Sequence, residues 1–223
     1  MLPRRLTWID ATNRDAHSYL VEDDRCLFFG EYFAHQGYEG GYTNNLILNF
    51  KIKPSALQKN PARRKYKTGA IREVAECLRN VAGANAAKYT WVPVPPSKAA
   101  GDPDYDDRLE RTLRAAFDVS VVDIRNVLRQ TESTEADHLA GDRLTPEQLS
   151  AILDVDTAAL AAAPIRERGV ILFDDVLTTG KHFKCCKDQL TDRLGNVPVT
   201  GLFIARRVPP DVSIEFDVIL DGK

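Results

Sequence analysis

No stretch of the sequence approaches the eighteen or so uncharged apolar residues that a membrane-spanning helix needs. The opening Met1-Leu2-Pro3-Arg4-Arg5 runs into Trp8-Ile9-Asp10 and not into an apolar signal-peptide core, so a cytoplasmic chain with no membrane partner is expected. Charge of one sign is also lacking. Thirty Lys plus Arg stand against 32 Asp plus Glu, a formal net charge of −2, which leaves no global field to draw the chain onto nucleic acid. Any polyanion site must therefore be local. The four cysteines, Cys26, Cys77, Cys185 and Cys186, include no pair spaced by two residues, and the four histidines are scattered, which argues against a structural zinc site. Cys185 and Cys186 fall inside a helical pattern and read as small apolar fillers, not as a redox pair. Thirteen glycines and 12 prolines in 223 residues are too few for a linker or a low-complexity chain. What remains is ordinary globular composition, 43% hydrophobic and 28% charged, of a size that one α/β domain with appendages can fill.

The first part of the chain carries strand-like runs: Arg25 to Phe29, then Glu31-Tyr32-Phe33, and, after a glycine-rich turn at Gly37 to Gly41, Asn45 to Phe50. Turn residues between such runs predict an antiparallel hairpin or meander, and residues 1–60 are expected to form a β-rich appendage on a core spanning 61–223. From Lys51 to Lys67 there are seven basic residues and no acid, a pattern of a solvated loop with anion binding as the alternative. Beyond it, Ile71, Val74, Ala75, Leu78, Val81 and Ala82 recur at three- and four-residue intervals and predict a helix ending near Gly83. Strands and helices then alternate: a strand over Tyr89–Val94, a helix over Arg108–Phe117, a strand over Val119–Ile124, a polar arm from about Arg129 to Arg143, and a helix near Pro146–Leu153. A strand over Gly169–Phe173, a helix over Lys181–Leu194 and a strand over Val197–Ala205 complete the series. Alternation of this kind implies right-handed crossovers and a parallel sheet, whose ligands collect at the carboxyl ends of the strands.

The most informative segment is Val170-Ile171-Leu172-Phe173-Asp174-Asp175-Val176-Leu177-Thr178-Thr179-Gly180. The apolar run suits a buried parallel strand. Where the chain leaves the sheet, the turn through Thr178, Thr179 and Gly180 should aim successive N–H groups and the positive end of the next helix into one concavity, a seat for a phosphate monoester. The threonine hydroxyls can donate to the same oxygens, and Gly180 is expected to let the backbone approach the ligand. Asp174 and Asp175 would repel that anion unless they held sugar hydroxyls or a cation between them, and ribose hydroxyls with Mg²⁺ satisfy this. In a regular strand the two would face opposite sides, so the strand end is expected to bend. A Walker-type triphosphatase is excluded: the Gly-Lys at Gly180-Lys181 is followed by His182, not by Ser or Thr.

VILFDDVLTTG resembles the phosphoribosyl-pyrophosphate (PRPP) motif of type I phosphoribosyltransferases. With Thr90–Lys98 (TWVPVPPSK), Arg129-Gln130-Thr131, Asp142-Arg143 and the upstream Tyr42–Lys51, the chain is similar to the ComF-like, competence-associated branch of that family over roughly Tyr42 to Val208. The resemblance implies an α/β phosphoribosyltransferase-type fold, a parallel sheet of about five strands flanked by helices. It puts the ribose 5′-phosphate of PRPP, or of a nucleotide 5′-phosphate, on Val176, Leu177, Thr178, Thr179 and Gly180. Asp174 and Asp175 would hold the 2′- and 3′-hydroxyls as the catalytic pair, with Mg²⁺ reached indirectly through those hydroxyls or water. Lys98 would be the first cation of the pyrophosphate loop and Arg108 its remaining basic residue. Residues 129–143, with Arg129 and His138, occupy the place of a flap, and Arg206 and Arg207 that of acceptor-base contacts. The chain departs from the branch in having only Cys26 where a zinc cluster is usual and Gly101–Arg108, with four aspartates, where a basic pyrophosphate segment is usual. His182 also stands where a threonine is frequent.

The implied activity is Mg²⁺-dependent transfer of phosphoribosyl from PRPP to an unidentified nitrogen acceptor, with release of pyrophosphate. The aspartates at 102–107 motivate an alternative, a non-catalytic sensor or regulatory subunit for a nucleotide 5′-phosphate. A third reading, a nucleic-acid accessory protein, follows from the Lys51–Lys67 run and is opposed by the net charge. A homodimer is left open.

Overall fold

The computed structural model describes residues 2–134 and 144–209. Its main sheet has six strands, and five of them are mutually parallel: β2 (Arg25–Phe33), β3 (Thr90–Pro93), β4 (Asp123–Ile124), β7 (Val170–Leu177) and β8 (Val199–Val208). The spatial order is β1-β2-β8-β7-β3-β4, where β1 (Thr7–Trp8) is an antiparallel edge. A separate two-stranded ribbon joins β5 (Leu128–Gln130) to β6 (Leu153–Val155). Leu172 and Phe173 of β7 and Ile204 and Ala205 of β8 are fully buried, as expected of central parallel strands covered on both faces. Burying a side chain such as Phe173 contributes roughly 2 kcal/mol.

The α/β class and the mainly parallel sheet agree with the sequence, but the amino-terminal part folds differently from the expected appendage. Arg25–Phe33 does form a strand, yet it pairs in parallel with β8, from Arg25 opposite Thr200 to Phe33 opposite Val208. Only β1 is antiparallel to it. Asn45–Phe50 lies in helix α1 (Gly41–Phe50), not in a strand. Leu46, Ile47 and Phe50 are its buried apolar residues, at positions i, i+1 and i+4, the spacing of one helical face. Asn44, also buried, fixes the helix to β2: its Oδ1 accepts from the Phe33 amide at 2.9 Å and its Nδ2 donates to the Phe33 carbonyl at 2.8 Å. Phe28, Phe29 and Phe50 share one hydrophobic cluster with Leu172 and Phe173, so no break in packing falls near residue 60.

The basic run is not a solvated loop either. It folds into α2 (Pro54–Lys59) and the start of α3 (Arg64–Ala82), whose Ile71, Val74, Ala75 and Leu78 are buried as their spacing predicts, with Gly83 as the cap. Helix α4 (Arg108–Ala116) precedes β4, which is confined to two residues; Val119 and Val121 are exposed in a turn instead of extending the strand. Short helices α5 (Pro146–Ala151) and α6 (Thr157–Ala161) flank β6. Helix α7 (Lys181–Leu194) follows β7 and buries Cys185 and Cys186, consistent with their reading as fillers. Since β3 is bordered by β4 on one side and β7 on the other, the sheet changes winding direction between β3 and β7. Their carboxyl ends flank the crevice where ligands of such sheets bind.

Candidate functional site

At that crevice lies a cleft of about 420 Å³. Three segments wall it: Pro95, Pro96 and Ser97 after β3; Asp106, Arg108 and Leu109 at the start of α4; and the end of β7 with the start of α7, from Asp174 to His182. Lys51, at the end of α1, enters from the side. Asp174 and Asp175 both line the cleft, although β7 continues as strand through Leu177. The turn expected over Val176 to Gly180 is correspondingly shorter. Val176 and Leu177 remain in register with Ala205 and Arg206 of β8, and Leu177 is a core side chain at 1% exposure. The turn itself is Thr178-Thr179-Gly180, opening directly into α7. Among the described residues, no group accepts from the amides of Thr179 and Gly180, which leaves these two as donors toward a ligand, while the Lys181 amide that opens α7 donates to Thr179 Oγ1 at 3.4 Å.

Gly180 is required for a reason other than ligand approach. Its φ is +84°, a left-handed conformation, and a Cβ there would come within 2.7 Å of Leu20 Cδ2. The glycine therefore admits the tight turn and the packing of an amino-terminal segment against the back of the loop.

The acid pair has two unlike members. Asp175, 4% exposed, accepts from Lys51 Nζ at 3.0 Å, Arg108 Nη2 at 2.6 Å and Arg108 Nε at 3.1 Å. Burial works against its charge, but the cations of Lys51 and Arg108 outweigh it and hold the carboxyl well below the usual carboxylate range. Asp174 is half-buried and accepts from the Asp175 amide at 2.7 Å through Oδ1. Burial, and then the neighbouring charge of Asp175, push its carboxyl upward. Arg108 also donates to Asp106 at 3.1 Å, and Asp106 accepts from the buried Lys67 at 2.6 Å. Lys67 completes its bonding on the Ile52 carbonyl at 2.7 Å. A continuous chain of alternating charge thus runs Lys67–Asp106–Arg108–Asp175–Lys51.

Each of the aspartates at 102–107 has a partner, and only Asp106 belongs to this chain of charges. Asp106 is neutralised by Lys67 and Arg108. Asp102 accepts from Ser133 Oγ and the Asp104 amide, and Asp104 from the Ser55 amide at 2.9 Å. Asp107 pairs with Arg111 at 3.4 Å. Of the four, Asp106 alone lines the cleft. The opposite rim is built by Gln130, whose Nε2 donates to the Ser97 carbonyl and to Thr134 Oγ1, while the Thr134 amide donates to Ser97 as well. Lys181 lines the cleft and donates to the Leu144 carbonyl at 2.6 Å.

The structure brings Asp174, Asp175, Val176, Thr178, Thr179 and Arg108 together around the cleft, and Gly180 sets their turn. Other expected residues lie elsewhere. Arg129 is bound to Asp156 at 2.5 Å, away from the lining. Arg206 pairs with Glu31 across β8 and β2, and Arg207 sits beside it opposite Tyr32, so neither reaches the cleft. Lys98 acts on Asp102 and Asp104 outside the lining. His138, with the rest of the flap after Thr134, lies outside the described residues. The sequence reading missed Lys51 as a site residue because it stands in a basic run, where partners 124 positions away leave no local signal.

As for Mg²⁺, among the described residues no three His, Cys, Asp or Glu side chains gather as a ligand set. Both oxygens of Asp175 are engaged by cations, and among the described residues no group donates to Asp174 Oδ2. Such a donor set fits an ion held mainly by ligand oxygens and water, the usual habit of Mg²⁺ with phosphates. No protein-family model matches the chain, and no curated protein is significantly similar to it.

Proposed function

We propose that this cleft binds PRPP and transfers its phosphoribosyl group to a nitrogen acceptor. The observation that carries the reading is the single run from Asp174 to Gly180. It delivers two carboxylates and then a turn of undonated amides to the same cleft, at the winding switch of a parallel sheet. The 5′-phosphate sits on the Thr178–Gly180 turn and the dipole of α7. The ribose diol reaches Asp174 through Oδ2. The diphosphate faces Lys51 and Arg108, which can exchange Asp175 for it at little electrostatic cost, since one anion replaces another. Freed in this way, Asp175 becomes the second diol acceptor. When bound, Mg²⁺ would neutralise diphosphate charge next to Asp174.

In the reaction the C1–oxygen bond to pyrophosphate breaks with its electron pair leaving on pyrophosphate, and the acceptor nitrogen forms the new bond to C1, losing its proton to solvent. The chain's part is positioning and charge stabilisation: Lys51 and Arg108 for the leaving group, Asp174 and Asp175 for the positive charge developing on the sugar. Pyrophosphate release from PRPP across a panel of nitrogen bases tests this, with loss expected in Asp174→Asn and Thr179→Ala. Release that is unchanged in both variants would contradict it.

A second reading, a nucleotide 5′-phosphate sensor without turnover, draws on the ion pairs that already occupy Arg108 and Lys51. It predicts binding of ribose 5-phosphate with no release of pyrophosphate by any acceptor.

A further inference from the structure

Behind the Thr178–Gly180 turn, an amino-terminal segment makes contacts that the proposed reaction does not use. After a 3₁₀ turn at Arg14–Ala16, His17 is wholly buried and its Nδ1 is hydrogen-bonded to the Thr178 carbonyl. A carbonyl only accepts, so the ring carries its proton on Nδ1 and donates. The Tyr19 amide donates to the next carbonyl, Thr179, at 2.9 Å, and Leu20 fills the space against Gly180. The same segment is fastened to α7 by Asp24, whose buried carboxylate pairs with Lys187 at 2.7 Å and Lys184 at 3.2 Å.

We propose that His17 is the positioning residue of the anion-binding turn: by holding the Thr178 carbonyl from behind, it fixes the plane of the Thr178–Thr179 peptide so that the Thr179 amide faces the cleft, as Tyr19 does for the Gly180 amide through the Thr179 carbonyl. The inference rests on the phosphate-binding reading of that turn. A turn of three residues has few ways to keep its N–H groups convergent when no ligand is present. Tying down two successive carbonyls, Thr178 by His17 and Thr179 by Tyr19, removes that freedom in advance and lowers the ordering cost of binding. His17 Nε2 is buried with no hydrogen-bond partner. A second proton there would be unsatisfied and close to Arg206, so the ring works as a neutral donor and not as an acid or base. A histidine serving only as core filler would leave anion affinity indifferent to the Nδ1 proton.

The test uses the full chain with His17→Phe, which keeps the ring and removes the donor, and His17→Asn, whose side-chain amide can restore it. Inorganic phosphate and ribose 5-phosphate are titrated by calorimetry, and exchange of the Tyr19 amide is followed without ligand. We expect His17→Phe to weaken both ligands about tenfold, the scale of one well-placed hydrogen bond, and to speed Tyr19 exchange. His17→Asn should recover most of each loss at equal or lower thermal stability. Unchanged affinity and exchange in His17→Phe, or equal losses in both variants that track their stability, would overturn the proposal. If the unsubstituted chain binds neither ligand, the phosphate reading fails, and the exchange measurement alone then decides whether His17 holds the turn.

Discussion

Two of the walls of the cleft achieve charge complementarity by opposite means. One is a chain of side-chain ions, Lys67–Asp106–Arg108–Asp175–Lys51, largely withdrawn from water, in which every member is already paired with a neighbour of opposite charge. The other, Thr178–Gly180, offers main-chain dipoles with no counter-charge of their own, held from behind by neutral contacts from His17, Tyr19 and Leu20. The first wall must exchange partners to take a ligand, so its desolvation cost is met before the ligand arrives. The second need only be approached. A phosphate monoester suits the dipoles, whereas a ligand segment with several negative charges suits cations that must release a carboxylate.

The comparison breaks most sharply at Asp175. Asp175→Asn strands Lys51 and Arg108 beside a neutral amide, and removing one partner of a buried ion pair costs about 3 kcal/mol. Urea unfolding at neutral pH should show that loss. A stability within about 0.5 kcal/mol of the parent would mean that the chain of charges is not a coupled unit.

On the dipole wall, Gly180→Ala forces a side chain into a left-handed conformation and against Leu20. About 2 kcal/mol of stability should be lost, with phosphate affinity falling too, because the turn must move. A smaller, purely entropic effect with unchanged affinity would show that the turn is not held as tightly as its contacts imply.

Asp174 should respond with the opposite sign from its neighbour. Burial and Asp175 raise its carboxyl above the ordinary value of 3.8, so the folded chain keeps a proton that the unfolded chain has released. Stability therefore falls as pH rises from that value through the raised one. Asp175, held low, does the reverse: its contribution is complete above the ordinary range and is lost as pH falls through it toward the depressed folded value. Asp174→Asn should thus flatten the decline toward neutral pH and leave the chain as stable as the parent or more so, by up to about 1 kcal/mol, while abolishing turnover. Unfolding midpoints across that pH range check the sign, and a clear destabilisation at neutral pH would contradict it. The smallest effect is expected for Lys51→Met: Lys51 is about one-third exposed, and solvent screening keeps its pair with Asp175 below about 1 kcal/mol. Its larger consequence should be weaker binding of pyrophosphate-bearing ligands, measurable by calorimetry.

Much of the dipole wall is legible in the sequence, and much less of the ionic wall is. VILFDDVLTTG announces itself locally, since strand, acids, hydroxyls and glycine follow one another within eleven residues. The ionic wall depends on partners far apart along the chain: Lys51 with Asp175 and Lys67 with Asp106, drawn from a basic run that reads as solvated. The parallel pairing of β2 with β8 is equally non-local, and a run such as Asn45–Phe50 is too short for apolar content alone to separate strand from helix. The buried spacing of Leu46, Ile47 and Phe50 separates them once the packing is visible. His17 carries no sequence signal, because its only distinction is what it touches 161 residues away.

The most direct test of the account is a crystal structure of the chain with PRPP and Mg²⁺. It should show the 5′-phosphate within hydrogen-bond distance of the Thr179 and Gly180 amides, the ribose diol on Asp174 and Asp175, and Lys51 and Arg108 turned from Asp175 to the diphosphate. A PRPP molecule bound elsewhere, or a cleft without ligand in which Asp175 keeps both cations at saturating PRPP, would contradict it.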